Sequence, residues 1–190
     1  MNDVCFSGGS KGADYVFGEA AKAAGHTVMH FSFVGHSTPC KTDVWPLREM
    51  DLLQADKPLE AANRLLKRAF PTKSLYVNDL LRRNFFQIKE TERIYAISYV
   101  DVKTGMVKGG TGWACTMGIL RGVKEVYVFD QDDNAWWEFC GHEGVIFDWI
   151  RLDELPPVPH GFYTGIGSVE LTPPGEEAIK NLYANSNQRE

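Results

Sequence analysis

The sequence has no paired cysteines, no long apolar run and no excess of positive charge. Cys5, Cys40, Cys115 and Cys140 stand apart without a CxxC pair, which excludes a zinc knuckle and a disulfide framework and leaves four reduced, mostly buried thiols as the expectation. No metal and no cofactor are called for. No stretch of about 18 apolar residues occurs, so no membrane-spanning helix is expected. The N-terminal "MNDVCFSGG" also lacks the charged-then-apolar layout of a secretory signal, and the expected location is cytoplasmic. The formal charge of -5 arises from 20 basic and 25 acidic residues that are well mixed, which argues against a duplex nucleic-acid partner or an anionic membrane surface. A small anionic ligand can still be held by a local basic pocket.

The chain does have the pattern of one α/β domain. At 190 residues, 44% hydrophobic, it is long enough for a single sizeable core. Val4 to Ser7 reads as a short buried strand, Ala13 to Ala24 as a helix closed by Gly25, and "HTVMHFSF" as a second strand, together a βαβ unit. The region 36–74 is broken by Pro39, Pro46, Pro58 and Pro71 and reads as an inserted, partly helical excursion. "LYVNDLLRRNFFQIKETE" is a stronger helix, with Val77, Leu81, Phe85 and Ile88 on one face and Arg82, Arg83, Gln87 and Glu90 on the other. A second strand, Gly turn, helix and strand unit follows in "RIYAISYV", "KGGTGWACTMGILRG" and "KEVYVFD". Residues 131–152 mix aromatics with turn residues and read as a hairpin or irregular flap. "FYTGIGSVELTPPGEEAIKNLYANS" gives a third apolar strand, a third Gly turn and a helix started by Pro173 and Pro174. Residues 185–190 form a polar tail expected to fray. The expected fold is a single Rossmann-like three-layer domain, with a mainly parallel sheet and helices on both faces.

Three Gly turns at the carboxyl ends of strands suit an anion, because helix N-terminal amides and the helix dipole favour negative charge and glycine lets the backbone approach closely. Tight turns without any ligand also select glycine, so each turn alone is weak evidence. The dinucleotide fingerprint fits poorly, since "SGGSKG" has Ser7 in place of the first glycine and "MHFSF" supplies no acidic residue for a ribose hydroxyl. Lys11 is not a P-loop lysine either, because "GGSKGA" lacks the required spacing.

On the elements "SGGSKGAD", "LLRRNFFQI" and "KGGTGWACT", the chain resembles the SLOG superfamily, which includes the LOG phosphoribohydrolases and the DprA-like and YspA-like nucleotide-binding proteins. The opening strand of that family is similar to "YTGIGS" near the C-terminus. Moving Phe162 to Ala184 in front of Val4 restores the family order, which implies a circularly permuted domain. The resemblance implies that Ser7, Gly8, Gly9 and Gly12 contact one part of a nucleotide. Gly109, Gly110, Thr111 and Gly112 would cradle its phosphate, Arg82 or Arg83 would bind that phosphate in bidentate fashion, and Gly165, Gly167 and Ser168 would complete the rim. A solvated helix face is the competing account of the arginine pair. A homodimer is implied by the same analogy.

The departure from the family lies at Thr116, which stands where the LOG pattern carries the glutamate that assists N-glycosidic cleavage. Threonine cannot act as a carboxylate base. Asp14, after the first Gly loop, and Asp130, at a strand end, are the candidate replacements, although Asp14 also suits a helix N-terminus and Asp130 a turn. His30 and His36 frame the second strand and read as structural or exposed. Trp113 follows the second Gly loop and could stack on a base, while Trp137 and Trp149 read as core. The leading expectation is a module that binds a nucleotide or nucleotide-derived small molecule as a sensor or sequestering protein. The alternative is an N-glycosidic hydrolase or transferase using Asp14 or Asp130. A DNA-processing role is disfavoured by the charge.

Overall fold

The computed structural model describes residues 3–101, 103–141 and 147–184; the tail 185–190 and part of the 131–152 flap lie outside them. Strands form where β-branched and aromatic residues run together: β1 (Val4–Ser7), β2 (Thr27–Phe33), β3 (Val44–Leu47), β4 (Arg93–Ser98), β5 (Glu125–Asp130), β6 (Ala135–Phe139), β7 (Trp149–Arg151) and β8 (Phe162–Gly167). Helices are α1 (Ala13–Ala23), α2 (Glu49–Leu52), α3 (Asp56–Leu66), α4 (Leu75–Ile88), α5 (Gly109–Leu120) and α6 (Pro173–Tyr183), with a 3-10 turn over Leu53–Ala55. Local signals fix two helix starts. The Ser74 hydroxyl accepts from the Val77 amide at α4, and the Thr172 hydroxyl accepts from Gly175 at α6, whose first positions are prolines.

The eight strands make one sheet in the order β3-β2-β1-β8-β4-β5-β6-β7. Every pairing from β3 to β5 is parallel. β6 and β7 add antiparallel partners at one edge, so the aromatic flap extends the sheet as a hairpin. Counted from β8 with the edge strand β3 left out, the order of β2-β1-β8-β4-β5 becomes 3-2-1-4-5, the arrangement of doubly wound sheets.

The central strands are buried on both faces, and their alternation sorts two cores. Ile94 and Ala96 of β4, with Val126 and Val128 of β5, face α3, α4 and α5 through Leu59, Leu66, Leu81, Phe85, Trp113 and Met117. Tyr95, Ile97, Tyr127 and Phe129 face α1 and α6 through Phe17, Ala21, Ile179 and Leu182. This is the expected three-layer domain. The 36–74 segment is partly helical, as its pattern predicts, but it also supplies the edge strand β3, and α3 packs on the α5 side of the sheet. The proline-rich stretch before β8 is anchored where Tyr95 donates its hydroxyl to the Pro157 carbonyl at 2.8 Å.

α4 departs from its simple amphipathic reading. Leu81, Phe85 and Ile88 are buried as the spacing predicts, but Arg83 and Gln87 are buried too, whereas Val77 is 38% exposed. The helix packs against α5 and α3 as well as against the sheet at β1, β2 and β8, so more than one of its sides is covered.

Gly165 of β8 is a packing glycine. A Cβ there would sit 2.4 Å from the ring of Phe17 in α1, so it holds helix against sheet and does not rim a ligand site. Gly165→Ala should cost about 1–3 kcal/mol through overpacking, read as a fall in the urea midpoint with an unchanged slope.

Candidate ligand-binding site

β1, β8 and β4 are neighbours, and their following turns lie together at one end of the sheet. The helix after β8 joins the α1 side of the sheet and the helix after β4 joins the other. The crevice between β8 and β4 is therefore a topological switch point, the usual ligand position in such sheets. A cavity of about 500 Å³ opens there, bounded by Ser10, Asp14, Arg83, the α5 entry at Gly109 to Thr111, and the β8 turn from Gly167 to Glu170. Val77, Leu80, Leu81 and Ile166 give it an apolar wall.

The first and third Gly turns are closed onto each other. The Ala13 amide donates to the Ser168 carbonyl at 3.0 Å, the Ser168 amide donates to Ile97, and the Gly167 amide donates to Asp14 Oδ1 at 2.9 Å. Gly12 packs against the Ser168 and Val169 carbonyls, where a Cβ would approach to 2.4 Å. At the α1 entry the Gly9, Ala13 and Tyr15 amides are engaged internally, by Ser7 Oγ and by the Ser168 and Ser10 carbonyls.

Arg83 seals that arrangement. Its Nη1 donates to Asp14 Oδ2 at 3.0 Å, and both side chains are almost fully buried, 5% and 3% exposed. The guanidinium lies directly over Gly8, where a Cβ would fall 1.0 Å from Nη1; the glycine leaves room for the ion pair. Burial pushes the Asp14 carboxyl above its ordinary range, opposed by the charge of Arg83 and by the Gly167 amide. Both carboxylate oxygens of Asp14 are occupied, which makes it a structural anchor at the cavity floor rather than a free base.

From Arg83 a hydrogen-bonded chain runs outward. Nη2 donates to Ser10 Oγ at 3.2 Å, Ser10 Oγ is 3.0 Å from His36 Nε2, and His36 Nδ1 is 3.0 Å from Ser32 Oγ. The His36 ring stacks on Phe33 with centroids 5.1 Å apart. Burial, followed by the charge of Arg83, pulls its imidazole down to about 4. Arg83 Nε is buried without a partner.

The second Gly turn is open. The first intrahelical bond of α5 runs from the Gly112 amide to the Lys108 carbonyl at 3.2 Å, so the amides of Gly109, Gly110 and Thr111 precede the helical ladder. Gly109 and Gly110 are exposed. The carbonyls behind them are braced, because Arg68 donates to Gly109 and Val107, each at 2.9 Å, and Asn84 Nδ2 donates to Gly110 at 3.1 Å. The arrangement fixes the carbonyl side of a turn that lines the cavity, and amides that precede a helical ladder suit an anionic group.

Several residues singled out from sequence lie elsewhere. Arg82 points away from the cavity and is held by Asp56 at 2.7 Å and by Asp79 at 3.0 Å, so the phosphate-binding expectation for the pair narrows to Arg83. Trp113 is buried against Phe70 with centroids 6.0 Å apart and is core rather than a stacking platform. Thr116 is buried within α5. Gly112 packs against the Val107 carbonyl, Ser7 braces the first turn by accepting from the Gly9 amide and donating to the Asp14 carbonyl, and the Gly9 carbonyl accepts from Thr38. Asp130 accepts from the Val100 and Asp132 amides and lines a second cavity, of about 720 Å³, with Lys108 and Arg151. Among the sequence-predicted residues, the cavity brings together Asp14, Arg83, Gly109, Gly110, Thr111, Gly167 and Ser168.

Ser10, Arg68 and Asn84 were not marked by the sequence. Ser10 sat inside a quoted glycine motif as a spacer, and Arg68 comes from the excursion, where no local pattern links it to α5. The four cysteines are free, Cys5 and Cys115 buried and Cys40 and Cys140 partly so. No group of three or more metal-ligating side chains occurs among the described residues. Comparisons of the chain with family models, curated proteins and solved structures gave no match.

Two outcomes follow from these buried charges. Asp14→Ala should cost about 3–5 kcal/mol because it strands Arg83 without its counter-charge. The double replacement Asp14→Leu, Arg83→Leu should cost less than the sum of the singles in a denaturant double-mutant cycle. His30 is buried with both ring nitrogens unpartnered, and burial with the nearby Lys22 charge lowers it from 6.5 to about 4. The unfolded imidazole therefore binds its proton first as pH falls. The resulting stability is fully present above 6.5 and is lost between 6.5 and about 4, with a slope of up to about 1.4 kcal/mol per pH unit. His30→Leu should flatten the dependence of Tm on pH across that window.

Proposed function

We propose that the protein binds a nucleotide or nucleotide-derived small molecule, as a sensor or a sequestering module. The single observation that carries this reading is the open α5 entry at a topological switch point, facing an apolar wall across a cavity of about 500 Å³. A phosphate would sit on the Gly109, Gly110 and Thr111 amides, where the helix dipole adds to their donors. The base would lie along Val77, Leu80 and Leu81, and Glu170 on the far rim would accept from sugar hydroxyls.

The SLOG resemblance agrees with this placement and is part of the same proposal. So is circular permutation: the strand order becomes 3-2-1-4-5 when β8 is counted first and the edge strand β3 is left out. Binding is favoured over N-glycosidic cleavage because Asp14 is engaged through both oxygens and Asp130 lines another cavity.

Gly110→Asp tests the reading without disturbing the fold. A Cβ at Gly110 meets only Asn84 Nδ2, at 3.4 Å, and an acid in the first turn of a helix favours the helix dipole. The variant should keep or raise its own Tm. Calorimetric titration with AMP, cyclic nucleotides and ADP-ribose should find a binder of the wild type that Gly110→Asp weakens at least about tenfold, by repulsion of its phosphate. Absence of any nucleotide-induced heat or thermal shift in the wild type would overturn the proposal.

A further inference from the structure

The cavity holds a hydroxyl in a setting that binding alone does not require. Ser10 Oγ lines the cavity and lies 3.0 Å from His36 Nε2. The other ring nitrogen, Nδ1, lies 3.0 Å from Ser32 Oγ. Phe33 stacks on the imidazole, with the rings 22° from parallel, and the backbone is pinned where the His36 amide donates to the Phe33 carbonyl at 3.0 Å. Three elements thus converge: the β1 turn supplies the hydroxyl, the end of β2 supplies the base, and β2 itself supplies the group that orients it. Nucleophile, base and orienter within hydrogen-bond reach is the arrangement that activates a serine. The imidazole is the free base at neutral pH, held down by burial and by Arg83.

We propose that Ser10 is a catalytic nucleophile, with His36 as its general base and Ser32 as a positioning residue, and that the electrophile is the phosphoryl centre of a nucleotide phosphoester or anhydride. The phosphoryl assignment rests on the nucleotide reading of the cavity and on the donors beside the hydroxyl. Arg83 Nη2 is 3.2 Å from Ser10 Oγ, and Arg83 Nε is buried without a partner. An arginine there offers charge to the phosphoryl oxygens as they gain negative charge. In the first step the Ser10 Oγ–P bond forms and the bond from phosphorus to the leaving oxygen breaks. The Ser10 proton passes to His36 Nε2 and then to that oxygen. In the second step water attacks phosphorus and gives its proton to His36 Nε2, the Ser10 Oγ–P bond breaks, and Oγ takes that proton back from His36 as the phosphoryl group leaves as phosphate. Nothing is oxidised or reduced.

The test uses a fluorophosphonate, whose phosphorus accepts an activated serine hydroxyl with loss of fluoride. Intact-mass spectrometry of the wild-type protein should show one adduct, and peptide mapping should place it on Ser10. Ser10→Ala should abolish it. His36→Gln should slow its formation at least about a hundredfold, in the range that general-base catalysis supplies, while an unchanged Tm and far-UV spectrum confirm folding. Ser32→Ala should slow labelling more modestly, and Ser32→Thr, which keeps the hydroxyl, should restore it. No adduct on the folded wild-type protein, an adduct on a different residue, or equal rates in wild type and His36→Gln would each overturn the proposal. Adding AMP separates the two readings. Labelling that AMP slows supports both. Labelling at Ser10 that AMP leaves untouched supports the nucleophile and counts against the nucleotide. Binding of AMP without labelling overturns the nucleophile alone.

Discussion

The buried ion pair between Arg83 and Asp14 is the interaction on which the site depends. One carboxylate joins three parts of the chain that are far apart in sequence: the entry of α1, the middle of α4 and the turn after β8. Its Oδ2 takes the guanidinium, and its Oδ1 takes the amide of Gly167. The desolvation of two charges is tolerable only because both are paired in good geometry. That requirement propagates outward. Gly8 must lack a side chain to admit the guanidinium, and Ser10 must orient toward its second nitrogen.

A division of labour among the three glycine turns follows. Two of them are consumed in holding β1 and β8 together at their carboxyl ends. The third, at α5, keeps its donors outward because its carbonyls are secured from behind by Arg68 and Asn84. Glycine in this protein therefore has two uses that look alike in sequence. At Gly8 and Gly165 it admits a neighbouring side chain, while at Gly109 and Gly110 it leaves backbone exposed. The same division explains why Asp14, well placed on paper as a base, is an anchor.

Much of the fold was legible because its signals are local. Apolar runs bounded by glycine, the prolines that open α6 and the spacing of Leu81, Phe85 and Ile88 each depend on a few adjacent residues. The aromatic flap was legible only as a hairpin or an irregular flap, and the antiparallel pairing of β6 with β7 decides between them. The edge strand β3 was not, since "VWPL" contains a proline and is short; it pairs because its sheet edge has room for a strand whose proline does not need to donate.

The sequence by itself determined the layered α/β architecture, the three strand-turn-helix units and the cluster of residue types around the site, because periodicity and turn chemistry act over a few residues. Tertiary structure alone decided which arginine of the Arg82–Arg83 pair enters the cavity. Adjacent positions on a helix point about 100° apart, and only the location of Asp56 and Asp79 on one side and Asp14 on the other assigns them. It also decided that Trp113 is core, that Arg68 reaches the α5 entry, and that Ser10 meets His36 across 26 residues. Such meetings are set by which strands lie side by side, and no local pattern in the chain encodes that order.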